Sequence, residues 1–280
     1  MLDFAAREDR RALEELWLAC FGGPQEYLDF YFGRRFVPAD TLVWREGGRP
    51  VSMMTLMNVS IAGRAGAYVY AVATLPACRG RGLMRRLDGF AKEVCRSRGL
   101  AFTALVPANR PLFAMYEKLG YHAGFFLWEG EASIGPASAG PAEGGVFPCG
   151  FAEFARMRAG YLSRFPGAVI HPQRELRYIY EELTNFSGKV FRLTGREDCY
   201  AACTVLEDRT LWVRECSAED PCAAARAILA ALGLKRAKIH SPDPFAGARR
   251  IPYGMGRLLD GDRPLSAEFS GPFYMALMLD

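Results

Sequence analysis

The sequence predicts an α/β protein of the α+β kind, a mixed central sheet flanked by helices, built twice in tandem. Three observations carry that expectation. Apolar segments rich in β-branched and aromatic residues alternate with amphipathic helical stretches. A glycine turn joins one such strand, at residues 68–75, directly to a helix. The order of elements in the first half recurs in the second. With 280 residues, half of them hydrophobic, the chain is long enough for two compact domains.

Taken in order, residues 7–21 are amphipathic, with Leu13, Leu16, Trp17, Cys20 and Phe21 on one stripe and Gly22-Gly23 as the stop. Pro24 opens a second short helix bearing Tyr27, Phe30 and Tyr31. Residues 41–45 and 51–61 read as strands joined by the turn Glu46-Gly47-Gly48-Arg49. A turn at 63–66 leads into the buried strand 68–75, which Pro76 ends. Arg79-Gly80-Arg81-Gly82 follows, then a helix over 82–98 whose Leu83, Leu87, Phe90, Ala91 and Val94 sit at helical spacing. A strand at 100–106 and a helix at 110–119, stopped by Gly120, come next. Residues 130–150 are rich in Gly, Ala, Pro and Ser and read as a linker or surface loop. The expected division is a first domain over 1–133, a linker over 134–150 and a second domain over 151–280.

The Arg-Gly-Arg-Gly turn is the most informative stretch. Glycines between a strand end and a helix start let backbone N–H groups converge, and the helix N-terminus adds partial positive charge. The result suits a phosphate or pyrophosphate, although a tight turn with a solvated basic face would read the same in isolation. The neighbours decide between the two. Ala77-Cys78-Arg79-Gly80-Arg81-Gly82 resembles the Gln/Arg-x-x-Gly-x-Gly/Ala loop of the GNAT superfamily of N-acetyltransferases, with Ala77 in place of the leading Gln or Arg. Asn109, Tyr116 and Gly120-Tyr121 resemble that family's second signature.

The resemblance implies acetyl-CoA as co-substrate. It implies that the strands on either side of the loop splay apart and hold the pantetheine arm. It places Arg79, Gly80, Arg81, Gly82, Leu83, Met84 and Asn109 around the CoA, backbone N–H groups of Val72, Ala73 and Thr74 at the thioester, and Tyr116 as the acid facing the departing sulfur. It also puts Glu26, Tyr27, Asp29 and Tyr31 on the helix pair bordering the acceptor, as candidates for gripping a cation or as an ordinary solvated helix face. The stretch 68–87, with its Val-Ala-Thr-Leu-Pro run at 72–76, is similar to the bacterial enhanced-intracellular-survival acetyltransferases. Those carry two tandem GNAT-like domains and then a sterol-carrier-like domain, and known members acetylate amines, aminoglycosides among them. This chain stops where that third domain would begin.

The second half reads as helices at 151–165 and 172–183, strands at 190–194, 200–206 and 210–216, a helix from Pro221 stopped by Gly233, a strand at 237–240 and a closing apolar strand at 273–279. Between Cys216 and Pro221 stand Ser-Ala-Glu-Asp and no glycine loop. Those carboxylates suit the helix dipole and would repel a pyrophosphate. The expectation is a degenerate, non-catalytic GNAT-like domain, with an unrelated α+β domain as the alternative.

A net charge of +4 is too small to argue for nucleic acid. No apolar run approaches the roughly twenty residues a membrane span needs. Eight cysteines without a CxxC pair, and three histidines, argue against a metal site and fit a reducing, cytoplasmic setting. The expected function is acetyl transfer to a primary amine of a small molecule. A protein lysine or N-terminus as acceptor, and a non-catalytic acyl-CoA sensor, are the alternatives; an oligomer is left open. No Asp or Glu lies in 68–75 or 100–107, so a strand carboxylate is not expected as base. In the tandem family a C-terminal carboxylate has that role. Here Asp280 follows an apolar run expected to be held in a sheet, so proton removal is expected to go through water.

Overall fold

The computed structural model describes residues 1–135, 145–186, 188–195 and 199–278. The chain forms two compact units, each drawn from two separate stretches of sequence. The first comprises Met1–His122 and Met255–Phe269, the second Ala123–Gly254 and Ser270–Asp280.

In the first unit the strands run in the order β1 (Leu2–Phe4), β2 (Thr41–Glu46), β3 (Arg49–Ile61), β4 (Arg64–Thr74) and β5 (Phe102–Leu105). The first four pair antiparallel, and β4 and β5 pair parallel. A parallel pair needs a crossover, which helix α3 (Leu83–Ser97) supplies. Helix α1 (Arg10–Phe21) packs on β3 and β4, and α3 packs on β2, β3 and β4. Beyond α1 lies α2 (Gln25–Arg34), and α4 (Arg110–Glu117) follows β5. Leu42, Leu56, Val69, Leu87, Ala91, Val94, Leu105, Tyr116 and Tyr121 share one core. Trp17, Tyr31, Phe32 and Tyr70 form an aromatic cluster.

In the second unit the order is β6 (His122–Ser133), β12 (Arg236–Ser241), β11 (Leu211–Cys216), β10 (Cys199–Val205), β9 (Gly188–Leu193) and β7 (Val146–Pro148). Again one pair, β11 with β12, is parallel, joined through α7 (Pro221–Leu232). Helices α5 (Phe151–Leu162) and α6 (Gln173–Asn185) come before β9. The sequence α5, α6, β9, β10, β11, α7, β12 thus repeats α1, α2, β2, β3, β4, α3, β5. All eight cysteines are free. No helix among the described residues is long and apolar enough to cross a membrane.

Strand β13 (Arg249–Leu258) contributes its last residues to the first unit, where Met255–Leu258 pair antiparallel with Leu105–Phe102 of β5. The place next to β5 is therefore filled from beyond residue 254. The strand β6 that directly follows α4 pairs instead with β12.

Three sequence expectations change. Strand β13 is absent from the sequence expectation, and it contains Pro252, Gly254 and Gly256, residue types that ordinarily interrupt a strand. The glycine at 256 is there for proximity, since a Cβ would lie 2.5 Å from Leu265 Cδ1. The expected linker begins and ends in strand, with residues up to Ser133 in β6 and Val146–Pro148 forming β7; residues 136–144 of it lie outside the described residues. The expected closing strand at 273–279 shrinks to β14 (Phe273–Tyr274), paired with the short β8 (Gly167–Ala168). Met275–Met278 are buried without being strand. Leu277 takes a φ of 50°, outside the extended range of regular strand, and Arg214 Nη2 donates to the Met278 carbonyl at 2.6 Å. Leu279 and Asp280, and with them the expectation about the terminal carboxylate, lie outside the described residues.

Candidate active site of the first unit

The site begins with a defect in β4. Ser52 faces Thr74 and Met53 faces Ala73, yet Thr55 faces Tyr70. Met54 alone therefore opposes two residues, Ala71 and Val72. This is a β-bulge, and it frees backbone groups from the ladder. Ala71 adopts a φ of 50°, a conformation that costs an L-residue about 1 kcal/mol or more.

The second feature is a gap. Pairing between β4 and β5 stops at Tyr68 opposite Ala104, although β4 runs on to Thr74. Residues 69–74 thus have no partner on the β5 side. The bulge at Ala71 and Val72 thus lies within the stretch of β4 that has no partner on the β5 side.

The third feature follows along the chain. Gly80 and Gly82 have φ of 75° and 71°, and a Cβ at either would meet nothing within 4 Å. Gly82 is the N-cap of α3, and no side chain caps that end. The amides of Leu83, Met84 and Arg85 therefore lack intrahelical partners, at the positive end of the helix dipole. The residues present fit a pyrophosphate: an open, left-handed glycine turn leading into uncapped N–H groups.

Side chains around the turn are otherwise engaged. Arg79 Nε donates to the Thr74 carbonyl at 3.1 Å, and the Cys20 thiol donates to the same oxygen at 3.2 Å. Arg81 pairs with Glu46 at 2.7 Å and holds that carboxyl below the usual range. The cradle is accordingly a backbone device, with the arginines fixing the loop. Asn109 caps α4, its side chain accepting from Leu112 N at 3.3 Å.

Tyr116 is buried in the core beneath this region and meets the Tyr121 ring edge-on at 5.6 Å. Burial first, and the charge of Asp88 second, push its hydroxyl up to about 12, so it stays a phenol throughout the neutral range. On α2, the Tyr27 hydroxyl meets that of Tyr70 at 3.1 Å and Tyr31 reaches Thr55 Oγ1 at 3.0 Å. Tyr70 directly precedes the bulge, so Tyr27 and Tyr31 lie beside that part of β4. Glu26 and Asp29 are exposed, and Asp29 is tied to Arg10 at 3.4 Å.

Sequence reasoning missed Tyr70, Asp88 and Arg257. Asp88 carried a signal, a carboxylate directly beside Leu87 on the apolar stripe. Arg257 carried none. A cavity of about 510 Å³ opens beside α3, lined among others by Arg85, Asp88, Lys92, Lys118, Gly120 and Asp262. Neither Tyr116 nor the bulge residues line it.

The second unit keeps the outline and fills it. Ala202 faces Glu215 and Cys203 faces Val213, leaving Arg214 as the extra residue of a bulge. The fully buried Glu215 beside it accepts from Arg158 Nε at 2.7 Å, Tyr200 at 2.7 Å and Tyr274 at 3.2 Å. At the start of α7, Asp220 Oδ1 accepts from the amides of Cys222 and Ala223, both at 2.9 Å. The chain's own carboxylate takes the amides that in α3 are left open.

Residues 3–124 match the family described as acetyltransferase (GNAT) domain. No curated protein matches the sequence. Among solved structures, a GCN5-related N-acetyltransferase from Kribbella flavida is similar over 93% of this chain and 72% of its own, at 22% identity and a TM-score of 0.67. Eis1 from Mycobacterium abscessus is similar over 93% and 74%, at 14% identity and a TM-score of 0.64. A tandem GNAT protein from the clavulanic acid biosynthesis pathway is similar over 92% and 99%, at 15% identity and a TM-score of 0.57.

Proposed function

We propose, from the match of residues 3–124 to the acetyltransferase (GNAT) domain family, that the chain takes an acetyl group from acetyl-CoA and transfers it to a primary amine of a small molecule at the bulge of β4. The observation that carries this reading is the uncapped start of α3 behind Gly82, in direct continuation of a strand that parts from its neighbour. In the reaction, the amides of Leu83 to Arg85 and the glycine turn hold the pyrophosphate. A backbone N–H in the stretch Val72 to Thr74 stabilises the oxygen on which negative charge develops when the neutral amine attacks, a contribution typically worth about 10²- to 10³-fold. Tyr116 donates to the sulfur as it leaves. Its pKa of about 12 lies above that of an ordinary thiol, near 8.5. The phenol therefore offers a hydrogen bond rather than a complete transfer, and solvent balances the proton lost by the amine. The second unit binds no CoA and serves as a scaffold.

The test is CoA release, read with a thiol reagent, across a panel of small amines, lysine peptides and N-terminal peptides. Small amines are expected to give turnover. Turnover confined to peptides moves the acceptor to protein. Tight acetyl-CoA binding with no release for any acceptor leaves only a sensor. For an active amine, Tyr116→Phe should lower kcat by about 10²- to 10³-fold with little change in acetyl-CoA affinity.

A further inference from the structure

We infer that Arg257 is a positioning residue for acetyl transfer in the first unit, holding the helix that carries Tyr116 against the helix that carries the cradle. The inference rests on the reading of Tyr116 given above. Arg257 belongs to β13 and is 0% exposed. Each edge of its guanidinium is used. Nη1 donates to Asp88 Oδ2 at 3.0 Å and to the Leu119 carbonyl at 2.5 Å, Nη2 donates to Asp88 Oδ1 at 2.7 Å, and Nε donates to Thr103 Oγ1 at 3.2 Å. Asp88 lies on α3, Leu119 just past the end of α4 and Thr103 on β5. One side chain therefore ties the cradle helix, the acid helix and a strand bordering the gap.

The tie reaches Tyr116 through Tyr121. The guanidinium carbon sits 4.0 Å from the centre of the Tyr121 ring. That ring meets Tyr116 edge-on at 5.6 Å and 75°, and its hydroxyl donates to Asp88 at 3.5 Å. Stability does not account for the arrangement, because a buried ion pair is often no more stable than well-packed apolar residues in its place. The planar fork supplies direction, four donor bonds in fixed relation, which a lysine cannot reproduce. Such a fork keeps the phenol within reach of a sulfur anchored through the other helix, and misplacement by about an ångström is worth up to about a hundredfold in rate.

A double-mutant cycle of Arg257→Lys and Tyr116→Phe tests this, with kcat for an active amine at saturating acetyl-CoA as the readout and melting curves and acetyl-CoA affinity alongside. Arg257→Lys should lower kcat by about ten- to a hundredfold, with affinity changed far less. In the Tyr116→Phe background the same change should cost almost nothing. A purely structural role would instead cost the same factor in both backgrounds, and that result, or wild-type kcat in Arg257→Lys, overturns the inference. Should Arg257→Lys fail to fold, Thr103→Val removes one acceptor of the fork without changing its size and carries the same cycle, with the same outcomes deciding. Wild-type kcat in Tyr116→Phe alone overturns the reading of Tyr116 and this inference with it. It is told apart from failure of the inference alone, in which Tyr116→Phe is slow but the Arg257→Lys factor persists.

Discussion

At the scale of single residues, the open space in front of Gly82 makes a clean test of the cradle. Nothing lies within 4 Å of a Cβ there, and φ is 71°. Gly82→Ala should therefore cost only the dihedral strain, about 1 kcal/mol, and keep acetyl-CoA binding. Gly82→Glu adds a carboxylate at an anion site. It should weaken acetyl-CoA by about a hundredfold or more, roughly 2.8 kcal/mol, in a folded variant, as calorimetry would report. Unchanged affinity in a folded Gly82→Glu variant would mean the pyrophosphate lies elsewhere. A second residue-scale effect concerns acid. His171 is buried and unpartnered at Nδ1, and burial first, then the charge of Arg158, lowers its pKa to about 3. The unfolded chain, with a histidine near 6.5, takes up protons first as pH falls. Stability is thus fully present above about pH 6.5 and drains away towards pH 3, by roughly 2 kcal/mol between pH 7.5 and pH 5. Urea midpoints at those two pH values measure it, and His171→Phe should flatten the dependence.

At the scale of elements, the two helix starts α3 and α7 separate the two halves of the chain. One is closed by Asp220 and the other is bare. Asp220→Ala removes a side-chain cap and should cost about 1 kcal/mol, while calorimetry should still count one acetyl-CoA per chain, because the buried Glu215 network fills the region beside the second bulge. Two equivalents bound would overturn the reading of the second unit as a scaffold. Much of this was legible beforehand. Strands β2 to β5 and all seven helices follow from periodicity and their stop residues, and the cradle from two glycines before an amphipathic run. The bulge was not legible, because Ala71 is an ordinary residue in an unusual dihedral and only the pairing of Met54 reveals it. Strand β6 hid because its glycine- and alanine-bearing end runs into low-complexity sequence. Tyr116 was singled out by the resemblance of its spacing to Asn109 and Gly120, whereas Asp88 and Arg257 are 169 positions apart and no local pattern joins them.

At the scale of the whole molecule, the first unit depends on residues 255–269. Without them β5 has an open edge, Asp88 is a buried charge with no cation, and Leu259 no longer fills the core. Removing one partner of a buried pair typically costs about 3–5 kcal/mol, against total stabilities of about 5–15 kcal/mol. A chain cut after residue 133 should therefore lack cooperative thermal unfolding, and a stable, acetyl-CoA-binding fragment of that length would overturn the assignment. The same arrangement constrains the order of events at the ribosome. A unit that begins at Met1 cannot close until Phe269 has left the exit tunnel. At about 5–20 residues per second, its first 122 residues wait on the order of ten seconds with an unpaired strand edge exposed to chaperones and to neighbouring nascent chains. Residues 1–122 are thus made early and completed late.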